Sequence, residues 1–313
     1  MLLAPGYRRG VSARELVVLG TASQAPTRRR NHNGYLLRWD DEGLLLDPGE
    51  GTQRQLVRAG VPVSAVTRLC LTHFHGDHCL GVPGVLQRRS LDAVEHPLHA
   101  YYPASGRPYF ERLRHASSYV ETARTVEHPV EQDGVVLDTG RWRLVAQHLD
   151  HRVDTLGWRV EEHDGVRILP ERLAERGVRG PDVGRLLRDG RLDRGDGDVV
   201  LLRDVSAPRR GQVFAFVMDT RRCDAALELA RGADLLVCEA TFLHRDADLA
   251  DRYAHLTARS AAEIAREAGA RRLVLTHLSQ RYPLPDEHLA EAAAVFPDVV
   301  VAEDLDRVPV PPR

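Results

Sequence analysis

Residues 72–78 read Thr-His-Phe-His-Gly-Asp-His and directly follow the apolar stretch 68–71. A strand that ends in such a turn presents three imidazoles and one carboxylate from a single short segment, and zinc and similar metals are bound by these groups. Gly76 lets the turn fold sharply enough for the side chains to converge. A histidine-rich surface loop is the alternative, but the preceding strand disfavours it. The stretch therefore predicts a metal site at a strand end.

Further candidate ligands stand at the ends of later apolar stretches. They are His151, Asp219 and His277. A single histidine at a strand end is more often structural than a ligand. The carboxyl ends of neighbouring strands in an α/β sheet, however, open onto one crevice. We therefore expect these three side chains to meet the turn at residues 72–78.

Strand-like apolar stretches alternate with helical patterns along most of the chain, which is typical of sheets covered by helices. Strands are predicted at residues 15–19, 35–39, 44–47, 68–72, 142–146, 157–160, 213–218, 235–239 and 272–276. Helices are predicted at residues 52–59, 224–230 and 258–268, the first capped by Thr52. The 313 residues fit one layered α/β domain with an insertion.

The insertion is predicted at about residues 161–210, where long apolar stretches are few and opposite charges alternate densely. A short helix over 170–176 and a turn at Gly180 and Pro181 are expected within it. Its arginines at helical spacing on one face are Arg172, Arg176 and Arg179, and those that follow the turn are Arg185, Arg188, Arg191 and Arg194. Residues 171–194 hold seven arginines and five acidic residues, a net charge of +2. Both a phosphate-binding patch and a solvated charged loop fit this composition.

Overall composition excludes several classes of protein. The formal net charge is −2, so any attraction for nucleic acid has to come from local clusters such as the three arginines at 28–30, which otherwise are simply solvated. All 43 basic residues are arginine. The four cysteines form no C-x-x-C pair, which argues against a redox motif or a cysteine zinc knuckle. No apolar run approaches the ~20 residues of a membrane span, and residues 1–14 lack the core of a signal peptide, so we expect a cytoplasmic protein without membrane contact.

The order and setting of these residues resemble the metallo-β-lactamase superfamily, and specifically its ribonuclease Z branch. Residues 47–53 read Asp-Pro-Gly-Glu-Gly-Thr-Gln and match that branch, although Pro48 replaces a residue that is often cysteine there. Residues 81–84, 239–241, 255–257 and 279–282 match it too. His148 is a rival of His151, but only His151 stands in the branch's setting His-x-x-x-[Ser/Thr]-x-Gly-[Tyr/Trp]-Arg. The resemblance covers about residues 15–281.

The resemblance implies a four-layer αββα metallo-β-lactamase fold, with residues 1–313 as one catalytic domain and residues 161–210 as an inserted flexible arm, or exosite. It also implies two zinc ions per subunit, with manganese as an alternative. The first would be bound by His73, His75 and His151, and the second by Asp77, His78 and His277. Asp219 would bridge them.

The activity that the resemblance implies is endonucleolytic removal of the 3′ trailer from precursor tRNA by a homodimer, leaving a 3′-hydroxyl on the tRNA and a 5′-phosphate on the trailer. Asp77 would bind metal and accept a proton from water. His255, oriented by Glu239, would protonate the leaving oxygen, although these two residues could also form a structural ion pair. The arm would grip tRNA through Arg172, Arg176, Arg179, Gly180, Pro181 and Arg185.

Two other functions fit parts of the pattern. One is a general phosphodiesterase or other small-molecule hydrolase of the same fold, since fold alone does not determine the substrate. The other is a non-catalytic RNA-binding protein with a structural zinc. The arm and the sequence Glu239-Ala240-Thr241 disfavour the first, and a ligand set that includes Asp77 disfavours the second, because closed structural sites do not need it.

Overall fold

The computed structural model describes residues 14–195 and 197–313, so nearly all of the segment examined for a signal peptide lies outside the described residues. The strands, in chain order, are β1 Glu15–Gly20, β2 Gly34–Trp39, β3 Glu42–Leu46, β4 Arg68–Cys70, β5 Leu98–Pro103, β6 Thr125–Val130, β7 Gly134–Asp138, β8 Trp142–His148, β9 Leu156–Glu162, β10 Gly165–Ile168, β11 Arg191–Asp193, β12 Val199–Leu201, β13 Ser206–Arg209, β14 Val213–Val217, β15 Leu235–Glu239, β16 Leu273–Thr276, β17 Val299–Val301 and β18 Arg307–Pro309.

The α-helices follow the same order along the chain. They are α1 Thr52–Arg58, α2 Gly76–Cys79, α3 Val82–Leu91, α4 Arg107–Arg114, α5 Pro170–Glu175, α6 Pro181–Asp189, α7 Asp224–Ala230, α8 Ala247–Tyr253, α9 Ala258–Glu267 and α10 Asp286–Ala293.

The predicted cap of α1 was wrong. Gly51 is the N-cap, with a φ of 88°, and Thr52 is the first helical residue. Its hydroxyl donates to the carbonyl of Gly49 instead.

Two seven-stranded sheets form the centre of the molecule. One has the strand order β18-β1-β2-β3-β4-β5-β6, and the other has the order β17-β16-β15-β14-β9-β8-β7. In the first sheet β3 to β6 run parallel, and in the second β14 to β17 do. Because β8 is antiparallel to β9 and β9 is antiparallel to β14, β8 ends at the same edge as β14.

The hydrophobic core has three layers, which shows why many strands read as continuous apolar stretches. Leu16 and Val18 of β1 pack between the two sheets together with Phe214 and Phe216 of β14. The alternate residues of β1 face α1, α3 and α4, whereas those of β14 face α7, α9 and α10. Strands covered on both faces lose the apolar and polar alternation of a half-exposed strand. The four-layer αββα prediction is confirmed.

The insertion leaves the second sheet between β9 and β14 and carries a small core of its own. Its base is the hairpin of β10 and β13, in which Ile168 lies opposite Ser206. Beyond this hairpin, α5, α6 and the strand pair of β11 and β12 enclose a separate cluster of buried side chains. The members of that cluster are Val178, Leu186, Leu192, Val200 and Val205. Among the described residues, no helix is long and apolar enough to cross a membrane.

An ion-pair network joins the base of the insertion to the first sheet. Arg14 donates to Glu162 at 2.7 Å and to Asp40 at 2.8 Å, and Arg209 donates to Glu162 at 2.6 Å. The guanidinium of Arg14 also lies 4.3 Å from the ring centroid of Trp39. Burial alone would raise the pKa of Glu162, but hydrogen bonds from Arg209 and Arg14 lower it to about 2. Glu162 therefore stays charged and holds the insertion to the domain.

We expect Glu162→Ala to lower the free energy of unfolding by about 2 kcal/mol, because two partly buried guanidinium groups lose a charged acceptor. Urea unfolding followed by circular dichroism measures the change. Glu267→Ala is the matched control, since Glu267 pairs with Arg222 on an exposed surface, and its loss should cost about 0.5 kcal/mol or less. Equal effects of the two substitutions would contradict this account of the network.

Candidate functional site

The predicted metal ligands meet at one edge of both sheets. The turn that follows β4 forms the short helix α2 and carries the histidines and the aspartate of residues 73–78. From the second sheet, His151 follows β8, Asp219 follows β14 and His277 follows β16 directly. These strand ends lie at the same edge of the sheet, so the short segments after them bring the side chains together.

The ligand atoms form two main clusters, in each of which all atoms lie within 4.8 Å of one another. The first holds His73, His75, His151 and Asp219, and the second holds Asp77, His78 and His277. Asp219 lies between them, because Oδ2 is 3.6 Å from Nε2 of His73 and Oδ1 is 3.3 Å from Nε2 of His277. A third group combines Asp219 and His277 with His255. The structure thus brings together every residue of the predicted ligand set.

The ring nitrogens that face away from the clusters are fixed by hydrogen bonds. Nδ1 of His78 donates to Asp47 at 2.9 Å, and Nδ1 of His151 donates to the carbonyl of Ala254 at 2.8 Å. The Thr72 hydroxyl donates to Asp47, so it accepts from Nδ1 of His73.

Thr241 fixes the ring of His277 in the same way that Thr72 fixes the ring of His73. Its hydroxyl donates to Glu239 at 2.5 Å and accepts from Nδ1 of His277 at 2.8 Å. Because each Nδ1 carries the proton, the lone pair of Nε2 points into the cluster, as metal binding requires.

These side chains fit metal ions better than they fit one another. Nε2 of His78 and Nε2 of His277 are 3.2 Å apart, so both ring nitrogens face the same small volume. Nε2 of His151 and Oδ1 of Asp219 are buried and have no hydrogen-bond partner among the residues that the structure describes. A buried polar atom without a partner costs about 1–3 kcal/mol. A cation between these atoms would satisfy all of them.

The charges around the clusters also favour bound cations. Burial lowers the pKa of His73, His75 and His151, and so keeps these imidazoles neutral, as ligands must be. Burial also opposes the charged form of His78, but the carboxylates of Asp219, Asp77 and Asp47 outweigh it and raise the pKa of His78. This local excess of negative charge is what divalent cations would neutralise.

His255 lies beside the clusters and contacts a buried carboxylate. Its Nδ1 is 2.9 Å from Oε1 of Glu239, which is fully buried at the end of β15. Burial disfavours the imidazolium, but Glu239 and Asp219 raise the pKa of His255 to about 9. Burial likewise opposes ionisation of Glu239, yet His255 holds its pKa below the usual value. The two carboxylates therefore favour the imidazolium form of His255, which faces the cleft.

The backbone around the site adopts a conformation that is rare for residues other than glycine. Asp47, Asp219, Ala254 and His277 all have positive φ, between 32° and 58°. The left-handed region costs roughly 1–2 kcal/mol for each such residue. At Asp219 and His277 it turns the chain sharply out of the strand, and at Ala254 it follows the end of α8. Strain of this kind concentrates at functional sites.

Some predicted residues lie outside the clusters. His148 pairs with Asp133 at 2.6 Å and with Asp154 at 3.3 Å, and it belongs to neither cluster. Arg30 is buried and donates to the carbonyl of Tyr282, so it cannot line an RNA path, whereas Arg28 and Arg29 are exposed.

The arm arginines do not share one helical face. The helix α5 ends at Glu175, Arg176 is its C-cap and Arg179 lies beyond Gly177, whose φ is 63°. Gly180, with a φ of 56°, and Pro181 form the start of α6. Arg185 pairs with Asp182, and Arg172 makes one long hydrogen bond, at 3.5 Å, to the carbonyl of Asp204.

The cleft above the clusters has a volume of about 720 Å³ and is open to solvent. Metal-ligand residues form its floor, and no arm residue is among the described residues that line it.

Sequence reasoning assigned no functional part to Asp47, Thr72 or Thr241, although all three orient imidazoles. Their signal was a polar residue at or next to the end of an apolar strand, within or next to the quoted motifs.

The family model described as the metallo-beta-lactamase superfamily matches residues 27–277. A ribonuclease Z of Streptomyces avermitilis is 56% identical over 305 residues, which cover 97% of this chain and 100% of that protein. A ribonuclease Z of Chlamydia pneumoniae is 48% identical over 301 residues, covering 96% and 98%. The crystal structure of the short form of human tRNase Z superposes with a TM-score of 0.69 at 25% identity, covering 95% of this chain and 100% of that one.

We expect Asp219→Asn to weaken metal binding by at least about 100-fold, because even loss of a residue that only orients a ligand costs 10- to 100-fold, and Asp219 contacts both clusters. Elemental analysis after dialysis against a weak chelator measures the retained metal. Asp133→Asn is the control, because Asp133 pairs with His148 outside the clusters. Full metal content in the Asp219 variant would refute the bridging assignment.

Proposed function

The chain belongs to the metallo-β-lactamase superfamily and to its ribonuclease Z family, and we propose on this basis that it removes the 3′ trailer from precursor tRNA as a zinc-dependent endoribonuclease. It is a nuclease of the hydrolase class. The observation that carries the proposal is the Glu239 and His255 pair beside two metal-ligand clusters in one cleft. Incubation of the purified protein with a precursor tRNA labelled in its trailer tests it.

The bound cations would supply an activated water and neutralise charge on the phosphate oxygens. We propose zinc, with manganese as the alternative, because histidine and aspartate ligands suit both. His73, His75 and His151 would hold one ion, Asp77, His78 and His277 would hold the other, and Asp219 would contact both. The donor atoms described above fit this partition.

Two side chains of the protein would handle protons. Asp77 lines the cleft, and we assign it to accept a proton from the attacking water. On the other side of the phosphate, His255 would donate its proton to the leaving O3′, which avoids an alkoxide. Glu239 keeps the imidazole oriented and charged. The tRNA then retains a 3′-hydroxyl, and the trailer leaves with a 5′-phosphate.

The arm would bind the body of the tRNA away from the chemistry. Arg179 and Arg188 are exposed and have no acidic partner among the described residues, so they are available to phosphates. Arg172, Arg176 and Arg185 would have to exchange intramolecular contacts for phosphate contacts. Gly180 and Pro181 would set the turn between the two arm helices. Assembly as a homodimer, in which the arm of one subunit serves the cleft of the other, is part of the same proposal.

His255→Ala is expected to lower the rate of the chemical step by roughly 10²- to 10⁴-fold, because a positioned acid contributes that much. Single-turnover cleavage of precursor tRNA measures the rate, and elemental analysis should find unchanged metal content. His148→Ala, which removes a histidine outside the clusters, serves as the control. Metal loss in the His255 variant would instead make His255 a ligand, as its proximity to Asp219 and His277 allows.

Replacing residues 169–205 with a short Asn-Gly turn should cripple precursor tRNA cleavage but spare hydrolysis of bis(p-nitrophenyl) phosphate, where the enzyme shows that activity. The hairpin of β10 and β13 allows this design, because Ile168 and Ser206 lie opposite each other and the turn suits a tight hairpin. The deletion also removes a self-contained core and leaves the Glu162 network intact.

Binding of tRNA should weaken with salt, and the deleted form should show a shallower dependence, since fewer phosphates are contacted. Unchanged tRNA cleavage after the deletion would refute the exosite and favour the general phosphodiesterase. Equal loss of both activities would make the arm structural.

A further inference from the structure

Two aromatic side chains, Phe242 and Tyr253, line the cleft next to His255 and have no part in the proton transfers proposed above. Phe242 is 5% exposed, whereas Tyr253, the last residue of α8, is 40% exposed. The two ring planes are within 10° of parallel, and their centroids lie 6.4 Å apart. The ring centroid of Phe242 is 6.0 Å from that of His255. A flat apolar surface thus borders the proposed acid.

The exposure of Tyr253 has no evident structural cause. Its hydroxyl makes no hydrogen bond to any residue that the structure describes, so it does not anchor the chain through that group. Exposed aromatic rings in a cleft that takes nucleic acid are platforms on which bases stack, and each stacked base contributes about 1–3 kcal/mol. Stacking does not discriminate strongly among bases, because every base has a π-face.

The direction of proton transfer determines which base lies beside these rings. His255 donates its proton to O3′, and O3′ belongs to the last nucleotide that the tRNA keeps. The ribose of that nucleotide must therefore contact His255, and its base is attached to the same ribose. The trailer nucleotides lie on the other side of the phosphate. On this ground, and resting on the proposed function, we infer that Tyr253, backed by Phe242, stacks on the base of the last retained nucleotide.

The backbone links this platform directly to the metal site. Tyr253, Ala254 and His255 are consecutive, and the carbonyl of Ala254 accepts the hydrogen bond that fixes His151. Three neighbouring residues thus supply a surface for the base, the partner of a metal ligand and the acid for the leaving oxygen. A base stacked on Tyr253 would hold the last retained nucleotide beside the acid and the metal site. Tyr253 is therefore a binding residue for that nucleotide, and its contact is the same before and during the chemical step.

The test combines protein variants with altered substrates. Full-length wild type, Tyr253→Ala, Tyr253→Leu and Tyr253→Phe are assayed on a precursor tRNA whose last retained nucleotide is intact or abasic. On the intact substrate, Tyr253→Ala and Tyr253→Leu should raise KM by about 10- to 100-fold with kcat nearly unchanged, because stacking is equal in the ground and transition states. Tyr253→Phe should restore KM, and all variants should keep their metal content.

The abasic substrate should raise the KM of the wild type by a similar factor, and combining it with Tyr253→Ala should add little, because both changes remove the same contact. A precursor with an abasic first trailer nucleotide is the control, on which the Tyr253→Ala effect should stay at full size. Multiplicative effects at the retained nucleotide, or loss of the Tyr253 effect on the control substrate, would overturn the inference. Absence of cleavage by the wild type would instead overturn the proposed function on which it rests.

Discussion

The placement of one proton on each of four histidines is the constraint on which the site depends. His73, His78, His151 and His277 each carry hydrogen on Nδ1, because an acceptor is fixed next to that nitrogen. Two of these acceptors are threonine hydroxyls, which accept only because each donates its own hydrogen to a buried carboxylate. The carboxylates thus determine, through the threonines, where the lone pairs of the imidazoles point.

The geometry of the active site also depends on how the two sheets pack against each other. Four of the proposed metal ligands follow β4 in the first sheet, and the other three follow strands of the second. Their spacing is therefore set by the core between the sheets, where large side chains such as Trp39, Trp142 and Trp158 are fully enclosed. A cavity in that layer would shift one set of ligands relative to the other, which a close-packed core resists.

The sequence was sufficient for the fold class and for identifying which side chains meet in the two clusters, because those depend on motifs that are short and local. The strand, the glycine and the candidate ligands of this motif all lie within residues 68–78. What could not be predicted depends on distant partners. Asp47 and Thr241 stand at strand ends within recognisable motifs, but the imidazoles that they orient lie far away in the sequence, so the motifs do not identify these partners. The buried position of Arg30 likewise follows from its contact with the distant Tyr282. Arg179 is a different case, because Gly177, a local signal, ends α5 before the helix can carry Arg179 on the same face.

The left-handed residues around the cleft affect the stability of the chain when no metal is bound. In the proposed metal site, Asp219 and His277 cannot be exchanged for glycine to relieve their backbone, because their side chains would be lost as ligands. The fold therefore carries this energy, and bound cations would offset it. Ala254 contributes its carbonyl, and a glycine there would relieve the backbone at the loss of one buried methyl group. Bound metal would therefore add stability at this rim of the sheets, and the metal-free chain would be less stable there.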